Sequence, residues 1–282
     1  MPELPEVEVL VRHLGPLVRG RTIRTVDLRR TKVIAPTSPR GFAQALRGAK
    51  FTALLRRGKY LVFHLRSAGV GRVLIGHLGM TGRMYLLPAK APLPKHAAVV
   101  LGLGRENFVF EDTRYFGRLT LDASTLKRLG PEPLGTEFTV KHFALALSRS
   151  AQAVKVKLLD QSLVAGIGNI YASEALFRAG IAPTLPARQL KSGQVARLRA
   201  AIRKVLNEAI ENGSTVPLDY AGVGPRSGLF YFGLAPGAQD YYAERLRVYD
   251  RAGRPCYSCG TAIKRRTQAA RSTYYCPQCQ RR

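Results

Sequence analysis

Residues 1–8 read Met-Pro-Glu-Leu-Pro-Glu-Val-Glu, and the residues after them predict the helix that opens the fold. Two glutamates lie in its first turn, where the helix dipole favours acidic groups, and Gly20 is expected to end it. We therefore expect the helix to hold Pro2 and Glu3 at a fixed end of the chain. Its apolar residues recur at spacings of three and one and form a single stripe, made of Val7, Leu10, Val11, Leu14, Leu17 and Val18.

Pro2 carries the chemistry that a fixed N-terminus makes possible. Removal of Met1 would leave Pro2 with a secondary amine, and because α-amino groups titrate at about pH 7.7–8.0, a sizeable fraction is a neutral nucleophile at physiological pH. Attack of such an amine on a sugar C1′ gives an iminium ion, which acidifies the C2′ proton. Glu3 follows directly and can act as acid or base at the same sugar. Taken alone, the octet favours a simpler interpretation, an ordinary Met-Pro start whose glutamates favour a helix N-terminus.

The net charge indicates a polyanionic partner. The chain has 282 residues, enough for two domains and a sizeable core, and 45 lysines and arginines against 18 acidic residues give a formal charge of +27. Phosphate contacts carry most non-specific affinity for nucleic acid, which makes nucleic acid the expected partner. A membrane surface is disfavoured because no basic amphipathic segment with lipid-facing bulk is present. No apolar run approaches the roughly 18 residues that span a membrane, and the N-terminus lacks the pattern of a secretory signal.

The pattern between residues 22 and 121 predicts a β-sandwich or flattened barrel. Short apolar segments broken by glycine and proline are typical of such strands. The eight predicted strands are Ile23–Leu28, Phe51–Leu55, Tyr60–Leu65, Val73–Leu78, Met84–Leu87, Val99–Leu103, Phe108–Glu111 and Arg118–Leu121.

Three turns between these strands carry residues that suit nucleic acid. Residues 56–60, Arg-Arg-Gly-Lys-Tyr, set three cations around the start of a strand, which suits a phosphate, although an isolated stretch of this kind is more often a solvated turn. Residues 76–82, Gly-His-Leu-Gly-Met-Thr-Gly, place Met80 on a tight loop. Two interpretations of Met80 are about equally supported: a wedge that fills the gap left by an extruded base, or a residue that folds into the core. Residues 112–117 alternate an arginine and a phenylalanine on a short loop.

Beyond a turn-rich linker at 121–135, the pattern becomes helical. Helices are predicted at about 140–149, 154–160 and 190–211, and the charges of the last one favour a solvated basic face. Residues 166–176, Gly-Ile-Gly-Asn-Ile-Tyr-Ala-Ser-Glu-Ala-Leu, predict another helix with Asn169 as its N-cap. Backbone N–H groups at that terminus suit a phosphate.

The four cysteines lie near the end of the chain, in two Cys-x2-Cys pairs separated by 16 residues: Cys256, Cys259, Cys276 and Cys279. This spacing is typical of a four-thiolate zinc site. Two disulfides are the alternative, and we favour the metal because the absence of a secretory signal indicates a reducing compartment. The zinc would be structural, since four thiolates leave no open position, and residues 263–266 and 271–275 predict the two strands of a hairpin between the pairs.

The octet, the Arg-Arg-Gly-Lys-Tyr turn, the Gly-Met loop, residues 166–176 and the cysteine pairs together resemble the formamidopyrimidine-DNA glycosylase family, whose members excise oxidised purines from DNA. The resemblance covers nearly the whole chain. It implies a bifunctional DNA glycosylase and AP lyase in which Pro2 is the nucleophile, Glu3 is the acid, and Lys59 reaches the DNA phosphate and the reacting centre.

The resemblance also implies a set of DNA-binding residues, namely Met80, Arg114, Phe116, Lys155, Asn169 and Arg271. Met80 and Phe116 would enter the base stack, and Arg114 would lie opposite the orphaned base. The other three would contact the DNA backbone, with the last on the phosphates that flank the lesion.

The chain departs from the family's pattern at several positions. Thr113 and Tyr115 stand where proline and arginine are commoner, and Ala97 and Ala98 replace the last two residues of a Lys-His-Asp-His pattern. These differences concern the anchoring of strand and loop and the choice of the opposite base. The family's lesion-recognition loop corresponds to residues 220–242, which are longer here and rich in glycine and aromatic residues. They predict either a lid over a flipped base or a hairpin that packs its aromatics inward.

These expectations describe an α+β protein with three parts. Residues 1–130 form a catalytic β-sandwich with a leading helix, residues 131–245 form a helix–two-turn–helix domain with the lesion-recognition loop, and residues 246–282 form the zinc finger. We expect one structural Zn²⁺, damaged double-stranded DNA as the partner, no membrane association, a monomer, and a location in the bacterial cytoplasm or nucleoid.

Two alternatives stay open. An endonuclease VIII-type enzyme would use the same chemistry on oxidised pyrimidines, but such proteins usually begin Pro-Glu-Gly-Pro-Glu, whereas this chain has Leu4. A non-catalytic zinc-ribbon DNA-binding protein would need no nucleophile, and the presence of Pro2, Glu3 and Lys59 counts against it.

Overall fold

The computed structural model describes residues 2–213 and 246–281. These residues form two compact units, one at 2–127 and the other at 128–211 together with 246–281. The glycine-rich segment 220–242, predicted to be a lid or a hairpin, lies outside the described residues.

The predicted first helix is confirmed as α1 (Leu4–Val18), and Gly20 follows it with a φ of 82°. Its start is set by Glu6, whose carboxylate accepts the backbone N–H of Glu3 at 2.7 Å. This bond satisfies a donor that the start of a helix leaves without an intrahelical partner. The predicted apolar stripe is buried in the hydrophobic core except for Leu17, which lies at the edge of the stripe.

Within residues 2–127, eight strands form two antiparallel sheets of four, and all eight predicted strands are confirmed. Strands β2 (Lys50–Arg57), β3 (Tyr60–Ser67), β4 (Val70–His77) and β8 (Arg118–Thr120) make one sheet in that order. Strands β1 (Thr25–Leu28), β6 (Ala97–Gly102), β7 (Glu106–Asp112) and β5 (Gly82–Pro88) make the other in that order. The sheets form the predicted β-sandwich.

The core of this unit joins both sheets and α1 in one hydrophobic cluster. Phe63 of β3 lies between Phe51 of β2 and Phe108 of β7, with ring centroids 5.8 and 5.5 Å apart in edge-to-face arrangements. Such pairs add to the stabilisation that burial of their apolar area supplies. Leu10 and Leu14 of α1 are buried in the same cluster, so the sandwich also immobilises the first helix.

A second helix, α2 (Pro39–Leu46), was not predicted. The Ser38 side chain accepts the backbone N–H of Gly41 at 3.2 Å and caps the helix. Eight residues that include a proline and a glycine have weak helical character by themselves. Burial of Phe42 and Leu46 in the core stabilises them as a helix.

The described residues of the second unit form four α-helices and a hairpin: α3 (Val140–Ser148), α4 (Val154–Leu158), α5 (Asn169–Ala179), α6 (Ser192–Gly213), β9 (Lys264–Gln268) and β10 (Arg271–Tyr275). Glu174 of α5 accepts three backbone N–H groups from residues 247–249 at 2.8–2.9 Å. Burial raises the pKa of this carboxyl despite those bonds. The contact fastens α5 to the segment that leads into the hairpin. None of the described helices is long and apolar enough to cross a membrane.

Candidate active site and nucleic-acid interface

Pro2 and Glu3 are both buried at the start of α1. Glu8 of the same helix pairs with Arg56 of β2, with 2.8 Å between the carboxylate and Nε. The Arg56 guanidinium also donates to a carbonyl of the β2–β3 turn at 3.1 Å. That turn carries Lys59, so one ion pair joins the helix that bears Pro2 to the turn that bears the lysine.

The ion pair that Glu8 forms is present at neutral pH. Burial by itself would raise the pKa of Glu8. Hydrogen bonds and positive charge from Arg12 and Arg56 outweigh burial and hold this pKa below its ordinary value. The carboxylate therefore stays ionised, and α1 stays fastened to β2, at physiological pH.

Lys59 lies in a two-residue turn between the paired residues Arg57 and Tyr60. Gly58, the other turn residue, has a φ of 57°, which residues with a side chain rarely adopt. The Lys59 side chain is buried. The short turn thus fixes the position of the lysine at the end of the sheet.

His77, at the end of β4, faces Tyr60 across the sheet with ring centroids 4.8 Å apart. Its Nδ1 accepts the Gly79 backbone N–H at 3.1 Å. Burial, helped by the positive charges of Lys59 and Arg118, lowers the pKa of His77 to about 4. The ring is therefore neutral at physiological pH and carries its proton on Nε2. No role was predicted for His77, although its place within residues 76–82, beside the glycines of the loop, was a usable signal.

The loop at residues 76–82, here called the Met80 loop, packs directly against the loop at residues 112–117, here called the Phe116 loop. A Cβ added to Gly79 would lie 2.6 Å from the backbone N of Gly117, so only glycine allows this approach. Met80 is 44% exposed and Phe116 is 51% exposed. Of the two interpretations of Met80, the structure therefore favours the exposed side chain over one that folds into the core.

Asp112 fastens the two loops together. Its buried carboxylate accepts the Thr81 hydroxyl of the Met80 loop at 2.5 Å. It also accepts the backbone N–H groups of Arg114 at 3.1 Å and Gly117 at 2.7 Å. Hydrogen bonds to an ionised acceptor are stronger than neutral ones, so the two loops form one support. The role of Asp112 in joining the two loops was not predicted, although an aspartate before a loop is a known turn former.

Arg114 is exposed beside Phe116, with its guanidinium carbon 4.9 Å from the ring centroid. One loop therefore exposes a cation next to an apolar ring, and the neighbouring loop exposes Met80. Apolar side chains can fill the space of an extruded base, and a guanidinium can bind the edge of the base left behind.

Asn169 does not cap α5, because the helix begins at this residue and Gly168 is its N-cap. The Asn169 side chain instead accepts Lys155 Nζ at 2.5 Å and donates to the Ser272 carbonyl at 2.9 Å. Lys155 is fully buried, and its ammonium also donates to the Ser272 carbonyl at 3.0 Å and the Thr273 hydroxyl at 2.8 Å. These contacts join α4, α5 and β10. Direct contact of Lys155 or Asn169 with DNA stays a prediction, and for Lys155 the burial speaks against it.

The four cysteine sulfurs lie within 4.8 Å of one another. Pairs lie 3.5 Å apart (Cys259 and Cys276) and 3.9 Å apart (Cys256 and Cys279), whereas a disulfide bond is about 2.0 Å long. Four sulfurs at about 2.3 Å from a tetrahedral zinc stand about 3.8 Å apart. The donor set therefore fits one structural zinc, and the disulfide alternative does not fit.

Arg271 begins β10 and is exposed. The two residues before it, Ala269 and Ala270, form the hairpin turn with φ values of 46° and 58°. Such values cost non-glycine residues on the order of 1–3 kcal/mol each and persist only where the surroundings impose them. The pairing of Arg271 with Gln268 leaves only these two residues to close the hairpin, which imposes the values and sets Arg271 next to its tip.

The chain combines three parts: a β-sandwich whose two joined loops expose a cation and apolar side chains, a helical unit, and a four-thiolate finger. Together they define a DNA-binding protein of the helix–two-turn–helix and zinc-finger class. Three family models match the chain in order. They describe the formamidopyrimidine-DNA glycosylase N-terminal domain at residues 1–119, the H2TH domain of the same glycosylase at 129–219, and a zinc finger found in FPG and IleRS at 253–282. The chain belongs to the formamidopyrimidine-DNA glycosylase family.

Relatives and solved structures agree with this assignment. A formamidopyrimidine-DNA glycosylase from Desulfitobacterium hafniense is 42% identical, covering 99% of this chain and 100% of the relative. One from Moorella thermoacetica is 43% identical, covering 94% of each. A Lactococcus lactis variant of the enzyme bound to Fapy-dG-containing DNA superposes with a TM-score of 0.87 at 32% identity and full coverage of both chains. The L. lactis enzyme bound non-covalently to DNA with an AP site gives 0.85 at 30% identity, covering 99% of this chain and all of that one.

His77 is expected to titrate at about pH 4 instead of its ordinary 6.5. Between these values the unfolded chain binds a proton that the folded chain does not, so the free energy of unfolding should fall as the pH is lowered through this window. The His77→Gln variant should lose less stability over the same window. Urea unfolding at several pH values, with an NMR titration of the imidazole, measures both, and a midpoint near 6.5 would contradict the assignment.

One zinc ion per chain is expected, held by all four cysteines. Cys276→Ser should lose the metal and unfold the finger, because the segment has too small a core to fold without it. Ser258→Ala, between two ligands but not one itself, is the matched control and should keep the zinc. Elemental analysis of the purified protein measures the metal, and two disulfides found by mass spectrometry would overturn the assignment.

Proposed function

We propose that this chain is a bifunctional DNA glycosylase and AP lyase of base excision repair. It removes oxidised purines such as 8-oxoguanine and formamidopyrimidines from double-stranded DNA. Membership of the family, and the likeness to enzymes bound to Fapy-dG and AP-site DNA, support this substrate class. A location in the bacterial cytoplasm or nucleoid is part of the proposal, since a four-thiolate zinc site suits a reducing compartment and the substrate is genomic DNA.

The observation that carries the proposal is the anchored start of α1. Chain termini are ordinarily poorly ordered, yet Pro2 and Glu3 are buried here, and Glu8 joins their helix to the Lys59 turn. An immobile terminus is what a nucleophilic α-amine needs, because catalytic groups must be held close to the productive geometry.

In the proposed reaction, the Pro2 amine attacks C1′ as the bond from C1′ to the damaged base breaks. The proline nitrogen gives up its proton on bonding to C1′, and the released base takes up this proton together with the electron pair of the broken bond. Glu3 gives a proton to the sugar ring oxygen, the bond between that oxygen and C1′ breaks, and an iminium remains between Pro2 and C1′. This electron sink allows water to take the C2′ proton as the 3′-phosphate leaves, and a second elimination expels the 5′-phosphate. Hydrolysis of the iminium by water then releases the sugar remnant as an unsaturated aldehyde and frees the Pro2 amine. Lys59 binds the phosphate next to the reacting sugar.

The exposed loop residues suit the step that precedes chemistry. In the proposal, Met80 and Phe116 occupy the stack as the damaged nucleotide leaves it, and Arg114 binds the base that stays behind. Because Asp112 joins the loops, the three side chains enter the duplex together. Asn169 and Arg271 bind the DNA backbone.

The inferred role of Lys155 is to orient the Asn169 amide and the start of β10. The contacts of Lys155 favour this support role over a direct phosphate contact, since the ammonium already donates to three acceptors. DNA binding through Asn169 and Arg271 would thus depend on Lys155, although Lys155 itself would not contact DNA.

Blocking the Pro2 nitrogen should abolish catalysis and spare DNA binding. In a protein that keeps Met1 or carries an N-terminal tag, this nitrogen is an amide and has no basic lone pair. Borohydride should trap the untagged protein on lesion-containing DNA, because reduction makes the iminium permanent, and should not trap the tagged protein. A tagged protein that still forms the adduct would contradict the assignment and make Lys59 the candidate nucleophile.

Glu3→Gln supplies a second test of the same site. It should bind DNA normally and lower the rate of base excision by about 10²–10⁴-fold, the usual contribution of a positioned acid. Single-turnover excision measured beside an equilibrium binding curve separates the two effects. Equal loss of binding and excision would indicate a structural role at the helix start instead.

Met80→Ala and Phe116→Ala should each slow excision of a stacked 8-oxoguanine by about tenfold, because the unstacking cost of a few kcal/mol is no longer offset. Cleavage at a preformed abasic site should be nearly unchanged, since less stacking is lost there. Val70→Ala, which truncates a comparably exposed apolar residue on β4, is the control. Equal losses on both substrates would mean that Met80 and Phe116 are structural.

A further inference from the structure

Arg30 lies over the ring of Tyr115, with its guanidinium carbon 5.3 Å from the ring centroid. It follows β1 closely and is exposed. Its backbone is not free to drift, because the N–H groups of Arg29 and Arg30 both donate to the Ala98 carbonyl of β6, at 3.0 and 3.1 Å. The guanidinium is therefore presented from a fixed point at the edge of the sandwich.

Tyr115 is equally constrained. Its φ of 53° lies in the left-handed region, which residues with a side chain rarely adopt. Its ring packs against the hydrophobic core, and its hydroxyl lies 3.4 Å from Nδ1 of His96. The His96 carbonyl in turn accepts the backbone N–H of Asp112 at 3.1 Å, the residue that holds both exposed loops. Tyr115 is thus a rigid platform beneath Arg30.

Two cation–aromatic pairs therefore stand side by side. Tyr115 and Phe116 are consecutive, and they carry Arg30 and Arg114 respectively, at 5.3 and 4.9 Å. The neighbouring acidic residue, Asp27, pairs with Arg29 at 2.9 Å. Within the described parts of the chain, Arg30 forms no ion pair of its own, so its charge is available to an external anion.

We propose that Arg30 is a further DNA-binding residue, which uses Tyr115 as a stacking platform to reach a phosphate of the duplex beside the Phe116 loop. A guanidinium suits this role because its planar fork matches phosphate oxygens and its face stacks on an aromatic ring. Position 115, where arginine is commoner in the resembling family, carries no charge in this chain. The cation next to the loop is instead Arg30, which follows β1. This inference rests on the proposed function, since it needs DNA on the Phe116 loop.

The test is equilibrium binding to a duplex that contains a tetrahydrofuran abasic-site analogue, measured over a range of salt concentrations. Arg30→Ala should weaken binding and reduce the slope of log K against log salt by about 0.9, the value for one phosphate contact. Arg72→Ala removes an equal charge from an exposed position on β4 and is the matched control. It should leave the slope unchanged.

A charge-transfer variant distinguishes a phosphate contact from a structural one. Tyr115→Arg placed in the Arg30→Ala protein returns a cation to the loop and should recover the slope. Tyr115→Leu alone should weaken binding in the same way as Arg30→Ala, because the platform is lost. Thermal unfolding of each variant identifies any that fails to fold. If Arg30→Ala fails, Arg30→Gln, which removes the charge with a smaller change in packing, replaces it and should give the same loss of slope.

Two outcomes would overturn the inference. In one, Arg30→Ala and Arg72→Ala give the same slope. In the other, Arg30→Ala weakens binding and the second-site Tyr115→Arg recovers none of it, which would make Arg30 a structural cap on the tyrosine. Borohydride trapping of the unchanged protein on abasic DNA keeps this result separate from the proposed function. If the unchanged protein is trapped and Arg30→Ala has no effect on the salt slope, the inference alone is rejected. If the unchanged protein is not trapped, the proposed reaction is rejected.

Discussion

Burial of one face of α1 against the sandwich is the constraint on which the proposed chemistry depends. In the proposed reaction the reactive group is the Pro2 amine, and an unanchored amine would sample many positions. Leu10 and Leu14 lie in the same cluster as the strands of both sheets, so the helix cannot move without opening the core. The Glu8–Arg56 pair then adds a polar contact that joins the helix to the turn of Lys59. The core of the first unit thus holds the proposed nucleophile in place.

The loops that are proposed to enter DNA are likewise held in place before binding. An exposed methionine or phenylalanine on an independent loop would lose conformational freedom on binding, which weakens affinity. Here the glycine contact and the Asp112 carboxylate order both loops beforehand. His77 belongs to this arrangement, since its Nδ1 holds the Gly79 backbone and its neutral ring avoids a second positive charge beside Lys59.

Three of the departures from the family's pattern, Ala97, Ala98 and Tyr115, lie close together. The Ala98 carbonyl accepts the backbone N–H groups of Arg29 and Arg30, and the Arg30 guanidinium lies over the Tyr115 ring, whose hydroxyl is near His96. Ala97 and Ala98 are both buried, and alanine there leaves no buried polar side chain that would need a partner. These three substitutions therefore combine an apolar interior of β6 with a cation, Arg30, that the chain supplies just after β1.

The sequence by itself determined whatever depends on neighbours along the chain. The stripe of α1, the eight strands, the cysteine spacing and the tight glycine turns follow from local periodicity and backbone preference, and the structure confirms them. The helix α2 was not predicted because its propensity is weak, and burial of Phe42 and Leu46 is what stabilises it. Tertiary structure alone decided that Asn169 bonds to Ser272 instead of capping α5, that the Lys155 ammonium is buried, and that Arg30 stacks on Tyr115. Each of these contacts joins residues distant in sequence, and a hydrogen bond or a desolvated charge depends on which groups the fold brings within a few ångströms, which no local pattern specifies.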